Sequence, residues 1–287
     1  MLAPYLITAI RAAHEGGKIL RDFYGRLDRV QRKDSSFREV VSEVDLLSER
    51  KIMEAVQKAH PQSAVWSEEA GMIGSPSANV LWIIDPVDGT VNYVNGIPFC
   101  AVSVACLLSG QLFAGVVHNP FTREYFYAQQ GLGVWLNETP IRVSGARLLA
   151  EALLSCAFSS KSNSERDQEY LAFGRLNDLS RGCLRTGSAA MNLAYVACGK
   201  FSATWGRKLK VWDVAAGLLL VTEAGGCVWT DAHFRAPDLF ATSCIASNGP
   251  IHQELCNQLP QLLPAATASA QGSAAAGASL SAGRRSG

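Results

Sequence analysis

The chain has 287 residues, more than one ordinary domain, with 48% apolar and 18% charged side chains, a balance that fits a folded enzyme and excludes a disordered chain. Its 26 basic and 25 acidic residues nearly cancel, so no net field gathers a polyanion. Arg32-Lys33 and Arg207-Lys208 then read as solvated faces, and nucleic acid is not an expected partner.

At the start of the chain, Leu6, Ile10, Ala13, Gly17, Leu20 and Phe23 recur at three- and four-residue intervals, which predicts an amphipathic helix over 3–24. A second helix is expected over 43–59, and the polar stretch between them, up to Val40, as a loop or loose hairpin. No basic segment followed by an apolar run opens the chain, and nowhere do about 18 apolar residues run on, so neither secretion nor a membrane is expected. After His60-Pro61, short apolar runs at 63–67, 80–84, 99–108, 112–118 and 123–128 alternate with Gly, Pro and Asn. They predict an antiparallel meander with helices to one side.

Beyond about residue 140, strands and helices alternate: strands at 153–158, 201–205, 227–230 and 242–247, helices at 164–177, 187–199 and 212–224. The expected layout is an N-terminal α+β half (1–138), a C-terminal α/β half (139–262) closing the site, and a low-complexity tail (263–287). That tail has no aromatic residue, cannot offset its ordering entropy, and is expected to be disordered. The eight cysteines, at 100, 106, 156, 183, 198, 227, 244 and 256, form no Cys-x-x-Cys pair. They read as buried, reduced thiols of a cytoplasmic protein.

Chemistry concentrates in "VLWIIDPVDGTVNYVNG", residues 80–96. Pro86 lacks an amide donor and holds Asp85 extended, so the strand is expected to stop there. Asp88-Gly89 supplies a turn, and Thr90 is placed to cap a following helix. Free amides at that corner would attract a phosphate while two carboxylates repel it, and a divalent cation would reconcile them. Plain turn chemistry explains the two aspartates equally well. "VWSEEAG" likewise ends an apolar strand in Glu68 and Glu69, and "VWDVAAGLLLVTEAGG" places Asp213 at a helix start, where a carboxylate also serves as a cap. The five histidines, at 14, 60, 118, 233 and 252, lack metal-ligand spacing, and His118 and His233 read as polar strand-end or loop residues.

Together the three stretches resemble the inositol monophosphatase family of magnesium-dependent, lithium-sensitive phosphatases. Its signatures are an acidic pair after a strand, then W-I-I-D-P-x-D-G-T-x-N, then W-D-x-A-A-G-x-x-L-V-x-E-A-G-G, and the resemblance runs from about residue 3 to 260. It implies a layered αβαβα sandwich and a homodimer. It also implies two or three Mg²⁺ ions on Glu68, Asp85, Asp88, Asp213 and the Val87 carbonyl. Thr90 with Glu68 would hold the attacking water, and Asp45, where the family reads V-T-E-A-D, would be a further water-ordering carboxylate. Asp88, Gly89, Thr90, Gly187, Ser188, Ala189 and Arg207 would contact the substrate, a small phosphate monoester of the inositol phosphate type. Family members acting on inositol phosphates carry a Glu where this chain has Gly206. A sugar bisphosphate such as fructose 1,6-bisphosphate, or a 3'-phosphoadenosine nucleotide, therefore stands as the alternative substrate, Arg185 as a further possible contact. A catalytically silent binding protein would have lost at least one of these acidic residues.

Overall fold

The computed structural model describes residues 2–26, 30–32, 40–158, 164–230 and 243–262. The tail 263–287, residues 33–39 of the polar segment and His233 lie outside them.

Helix α1 (Pro4–Phe23) opens with Pro at its first turn, where a missing amide costs nothing, and buries Leu6, Ala13, Gly17 and Leu20. Phe23, expected on the buried stripe, is 37% exposed at the helix end. Strands β1 (Val30–Arg32) and β2 (Val40–Ser42) pair antiparallel, giving the hairpin form of that segment. Then follow α2 (Glu43–Ala59), β3 (Ala64–Ser67), β4 (Gly71–Ile73), β5 (Val80–Asp88), α3 (Thr90–Val94), β6 (Ala101–Leu108), β7 (Gln111–Asn119), β8 (Glu124–Gln129), β9 (Gly133–Leu136) and β10 (Thr139–Pro140). From β3 onward these strands form one sheet of order β10-β9-β8-β7-β6-β5-β3-β4. It is antiparallel except where β3 runs parallel to β5.

The second sheet, β12-β11-β13-β15-β14, is built from β11 (Leu153–Phe158), β12 (Gly182–Arg185), β13 (Ala203–Arg207), β14 (Cys227–Trp229) and β15 (Ser243–Ser247). Helices α4 (Ser164–Leu179), α5 (Ala189–Ala197), α6 (Val211–Glu223) and α7 (His252–Leu262) complete the chain. Short β4, β9, β10 and β12 are additions to the sequence expectation.

Helices cover both faces of the large sheet rather than one. On β5, Trp82 and Ile84 enter the core under α1 and α2, while Leu81 and Ile83 enter the core under α5 and α6. A strand buried on both faces reads as a continuous apolar run, which conceals its second partner layer. Helices α5 and α6 also pack on the small sheet, whose outer face carries α4 and α7. The layers therefore run αβαβα. The shared middle layer is thin because its residues are small: a Cβ on Gly115 of β7 would lie 3.1 Å from Ala216 Cα, and one on Gly217 would lie 2.5 Å from Leu193 Cβ.

No helix among the described residues is long and apolar enough to cross a membrane. All eight cysteines are free thiols; Cys227 is exposed and Cys198 half-buried, against the expectation of uniform burial.

Candidate active site

The β5 strand does not stop at Asp85. It continues to Asp88 through a bulge, with Asp85 opposite Ser103 and Asp88 opposite Ala101. Three steps on β5 thus face two on β6, so one extra residue is inserted beside Pro86. Bulges are where a strand tolerates proline. Residues three apart in a regular strand point to opposite faces, and the inserted residue turns Asp85 and Asp88 to the same one. Asp85 Oδ1 accepts the Val87 amide at 3.0 Å, which holds the bulge.

Two other elements bring acidic groups to this corner. Glu68 follows β3 directly, and its amide donates to Ile84 O at 3.2 Å, which sets it beside Asp85. Asp213 lies in the first turn of α6, where its Oδ2 accepts the Lys210 amide at 2.8 Å. One carboxylate oxygen from each of Asp85, Asp88 and Asp213 lies within 4.8 Å of the others. Burial, followed by the charges of Glu68, Asp88 and Asp213, pushes Asp85 well above the usual carboxylate range. Asp213 is raised well above it too, by burial and then Asp88. Burial likewise raises Asp88, but donors from Ser188, Ala190 and Ala189 restrain it to about 6. Two buried carboxylates and a half-buried third at this spacing need a cation or protons to coexist. All donors are hard oxygens, without His or Cys among them, a set suited to Mg²⁺ or Ca²⁺ and poor for Zn²⁺.

Thr90 begins α3 but is not its cap; that position is Gly89, at φ +96°, a conformation costly for other residues. The Thr90 hydroxyl instead lies 3.1 Å from Val87 O and 3.3 Å from Asp45 Oδ1. Asp45 is wholly buried in the first turn of α2. The Val87 carbonyl therefore already accepts from Thr90.

The Gly187-Ser188-Ala189 segment reaches the corner from the second half of the chain. Ser188 Oγ donates to Asp88 Oδ2, and the amides of Ala189 and Ala190 donate to Asp88 at 3.2 and 2.8 Å. Asp88 thereby caps α5 from another element, with Ser188 the local N-cap. Gly187, at φ +90°, leaves room for Asn92: a Cβ there would meet its side chain at 2.8 Å. Arg207 ends β13 on the approach to α6. Arg185 lies over the Phe158 ring at 5.0 Å, on the edge strand β12. His118 is next to last on β7, the strand-end position expected, but it is fully buried and stacked on Tyr125 at 3.6 Å, and burial lowers it to about 4.

Three residues at the corner were not singled out from the sequence. Asn92 Nδ2 donates to Phe99 O at 2.7 Å and Thr186 O at 2.8 Å, tying α3 to the loop before α5. Ser48 donates to Pro86 O at 3.1 Å, and Glu49 accepts from the turn after β3. With Asp45, the last two occupy one face of α2 at i, i+3 and i+4, a polar spacing on an inward face that could have marked them.

The family model described as the inositol monophosphatase family matches residues 1–263. A Pseudomonas aeruginosa protein named Nus factor SuhB is 40% identical over 81% of this chain and 88% of its own length. A Thermotoga maritima protein named fructose-1,6-bisphosphatase/inositol-1-monophosphatase is 36% identical over 86% of this chain and 92% of its own. The structure of inositol monophosphatase from Anabaena (Nostoc) sp. PCC 7120 superposes with a TM-score of 0.80 at 34% identity, covering 92% of this chain and 98% of that one.

Proposed function

This chain belongs to the inositol monophosphatase family, and we propose that it is a Mg²⁺-dependent phosphomonoesterase acting on a small phosphorylated metabolite of the inositol phosphate type. The observation that carries the reading is the meeting of Asp85, Asp88 and Asp213 within 4.8 Å beside Glu68. Glu68, Asp85, Asp88, Asp213 and the Val87 carbonyl would hold two or three Mg²⁺. Magnesium supplies Lewis acidity there, making water easier to deprotonate and offsetting charge on the phosphate and the leaving oxygen.

The protein's own groups do the rest. Thr90, held between Asp45 and Val87 O, orients the attacking water, and the Asp45 and Glu68 carboxylates take up its proton. The water oxygen bonds to phosphorus as the ester P–O bond breaks in line, and the departing alkoxide takes a proton from solvent water to leave as the alcohol. No phosphoenzyme is needed. The backbone at Gly89 and Thr90 serves the phosphate oxygens, and Gly187, Ser188, Ala189 and Arg207 surround the alcohol portion. We extend the reading to a cytoplasmic homodimer, by analogy with the family and from eight free thiols. Likeness to a protein named Nus factor SuhB does not displace it, since Glu68, Asp85, Asp88, Thr90 and Asp213 are all present.

Substrate choice turns on Gly206. A Cβ there would come 2.5 Å from Ala157 O and 2.7 Å from Leu209 Cδ1. The strand is thus packed for glycine, and an acidic side chain cannot simply be restored. Gly206→Ala is expected to cost about 1–3 kcal/mol, read as a lowered urea midpoint; an unchanged midpoint would show that the wall yields. Without that acceptor and with Arg207 and Lys208 adjacent, sugar bisphosphates and 3'-phosphoadenosine nucleotides remain the alternative substrates. The Thermotoga relative's double name supports a pocket of this breadth. A panel of inositol 1-phosphate, fructose 1,6-bisphosphate and 3'-phosphoadenosine 5'-phosphate, assayed with Mg²⁺, with EDTA and with added Li⁺, tests the reading. Phosphate release that needs Mg²⁺ and falls with Li⁺ is expected; no release from any of them would refute it.

A further inference from the structure

We propose that Glu49 is a positioning residue that sets where Glu68 stands, an inference that rests on reading the acidic corner as a metal site. Glu49 is 5% exposed, on the inward face of α2. Its Oε1 accepts the amide of Glu69 at 3.0 Å and that of Ala70 at 3.3 Å. The amide of Glu68 itself donates to Ile84 O on β5. All three successive amides of the turn after β3 therefore have defined acceptors, and one carboxylate oxygen supplies two of them.

The consequence is directional. The Ile84 contact ties Glu68 to the strand that carries Asp85, and the Glu49 contacts set how the chain leaves that point, hence where the Glu68 side chain projects. Without Glu49, the turn keeps its ladder bond but loses the hold on its far side, and two amides must seek water or another acceptor. The same helix face reaches the corner twice more: Ser48 Oγ donates to Pro86 O at 3.1 Å, and Asp45 Oδ1 lies 3.3 Å from the Thr90 hydroxyl. Helix α2 thus contacts the turn after β3, the bulge and the start of α3 through consecutive inward positions. Outer groups that orient ligands typically influence metal affinity about ten- to a hundredfold.

The test uses the full chain, with amide hydrogen exchange at residues 68–70 and Mg²⁺ calorimetry without substrate. Glu49→Ala is expected to speed exchange at Glu69 and Ala70 and to weaken Mg²⁺ binding about ten- to a hundredfold. Glu49→Gln keeps an acceptor oxygen in place and should stay near wild type in both. If Glu49→Ala fails to fold, Glu49→Asp, which keeps the charge but withdraws the oxygen, should weaken Mg²⁺ in its place. A folded Ala or Asp variant that melts earlier yet binds Mg²⁺ with wild-type affinity overturns the proposal. Wild-type protein that takes up no Mg²⁺ refutes the metal-site reading instead, and exchange at the two amides then decides whether Glu49 holds the turn at all.

Discussion

Asp88→Asn is expected to stop turnover while making the metal-free protein more stable. Asparagine keeps the shape and an acceptor oxygen for Ser188 or the Ala190 amide, so α5 stays capped. The variant loses a charge that the metal-site reading needs, and kcat should fall about a thousandfold or more, the upper range for removing one electrostatic group. Stability moves the other way. Burial above all raises Asp88 from 3.8 to about 6, so the folded state binds its proton more tightly than the unfolded chain does. Stability of the metal-free protein must then fall as pH rises through roughly 4 to 6, and above that window the ionised group costs on the order of 3 kcal/mol. Melts in EDTA should show a lower Tm at pH 7 than at pH 5, with a smaller difference in Asp88→Asn. Near-normal turnover by the variant would remove Asp88 from the chemistry.

Thr90→Val carries the second large effect. Valine preserves the branch and volume but removes the hydroxyl placed between Asp45 Oδ1 and Val87 O. If that hydroxyl orients the attacking water, kcat should fall about a hundred- to ten-thousandfold, the range for a positioned proton-transfer group. Mg²⁺ affinity measured by calorimetry should change little. Thermal stability should drop by only about 1 kcal/mol, since one hydrogen bond is lost. Thr90→Ser, which restores the hydroxyl, should recover most of the rate. Wild-type kcat in Thr90→Val would exclude the Thr90–Asp45 pair from the mechanism.

What the sequence shows of this architecture follows from how local each signal is. Helical spacing marks α1 and α2, and apolar runs ending in acids mark β3 and β5, because those patterns repeat within a few residues. The bulge at Pro86 is hidden, since it exists only in register with β6. Pro86 suggested a strand end where the strand accommodates an extra residue and continues. The α5–α6 layer over the second face of the sheet is hidden for a different reason: β5 and β6 are apolar on both sides and show no alternation. Asn92 ends the D-P-x-D-G-T-x-N motif and Glu49 lies on a polar face of α2, but their backbone partners are brought to them only by the fold. Glu223, the acid of "VTEAGG", behaves the same way, accepting the amides of Gly131 and Gly133 at 2.9 Å each and anchoring the β8–β9 turn. A motif residue can therefore be architectural although it stands within a catalytic signature.

The "AAG" of "VWDVAAG" belongs with it. Ala216 faces the bare backbone of Gly115, and Gly217 lies against Leu193, so α6 is wedged between sheet and helix at a separation that bulkier side chains would widen. Asp213 rides on that same rod, four positions upstream of Gly217. Widening the gap would carry this carboxylate away from the two on β5 without altering any of the three, so defects in ion capture can originate at residues that never touch an ion.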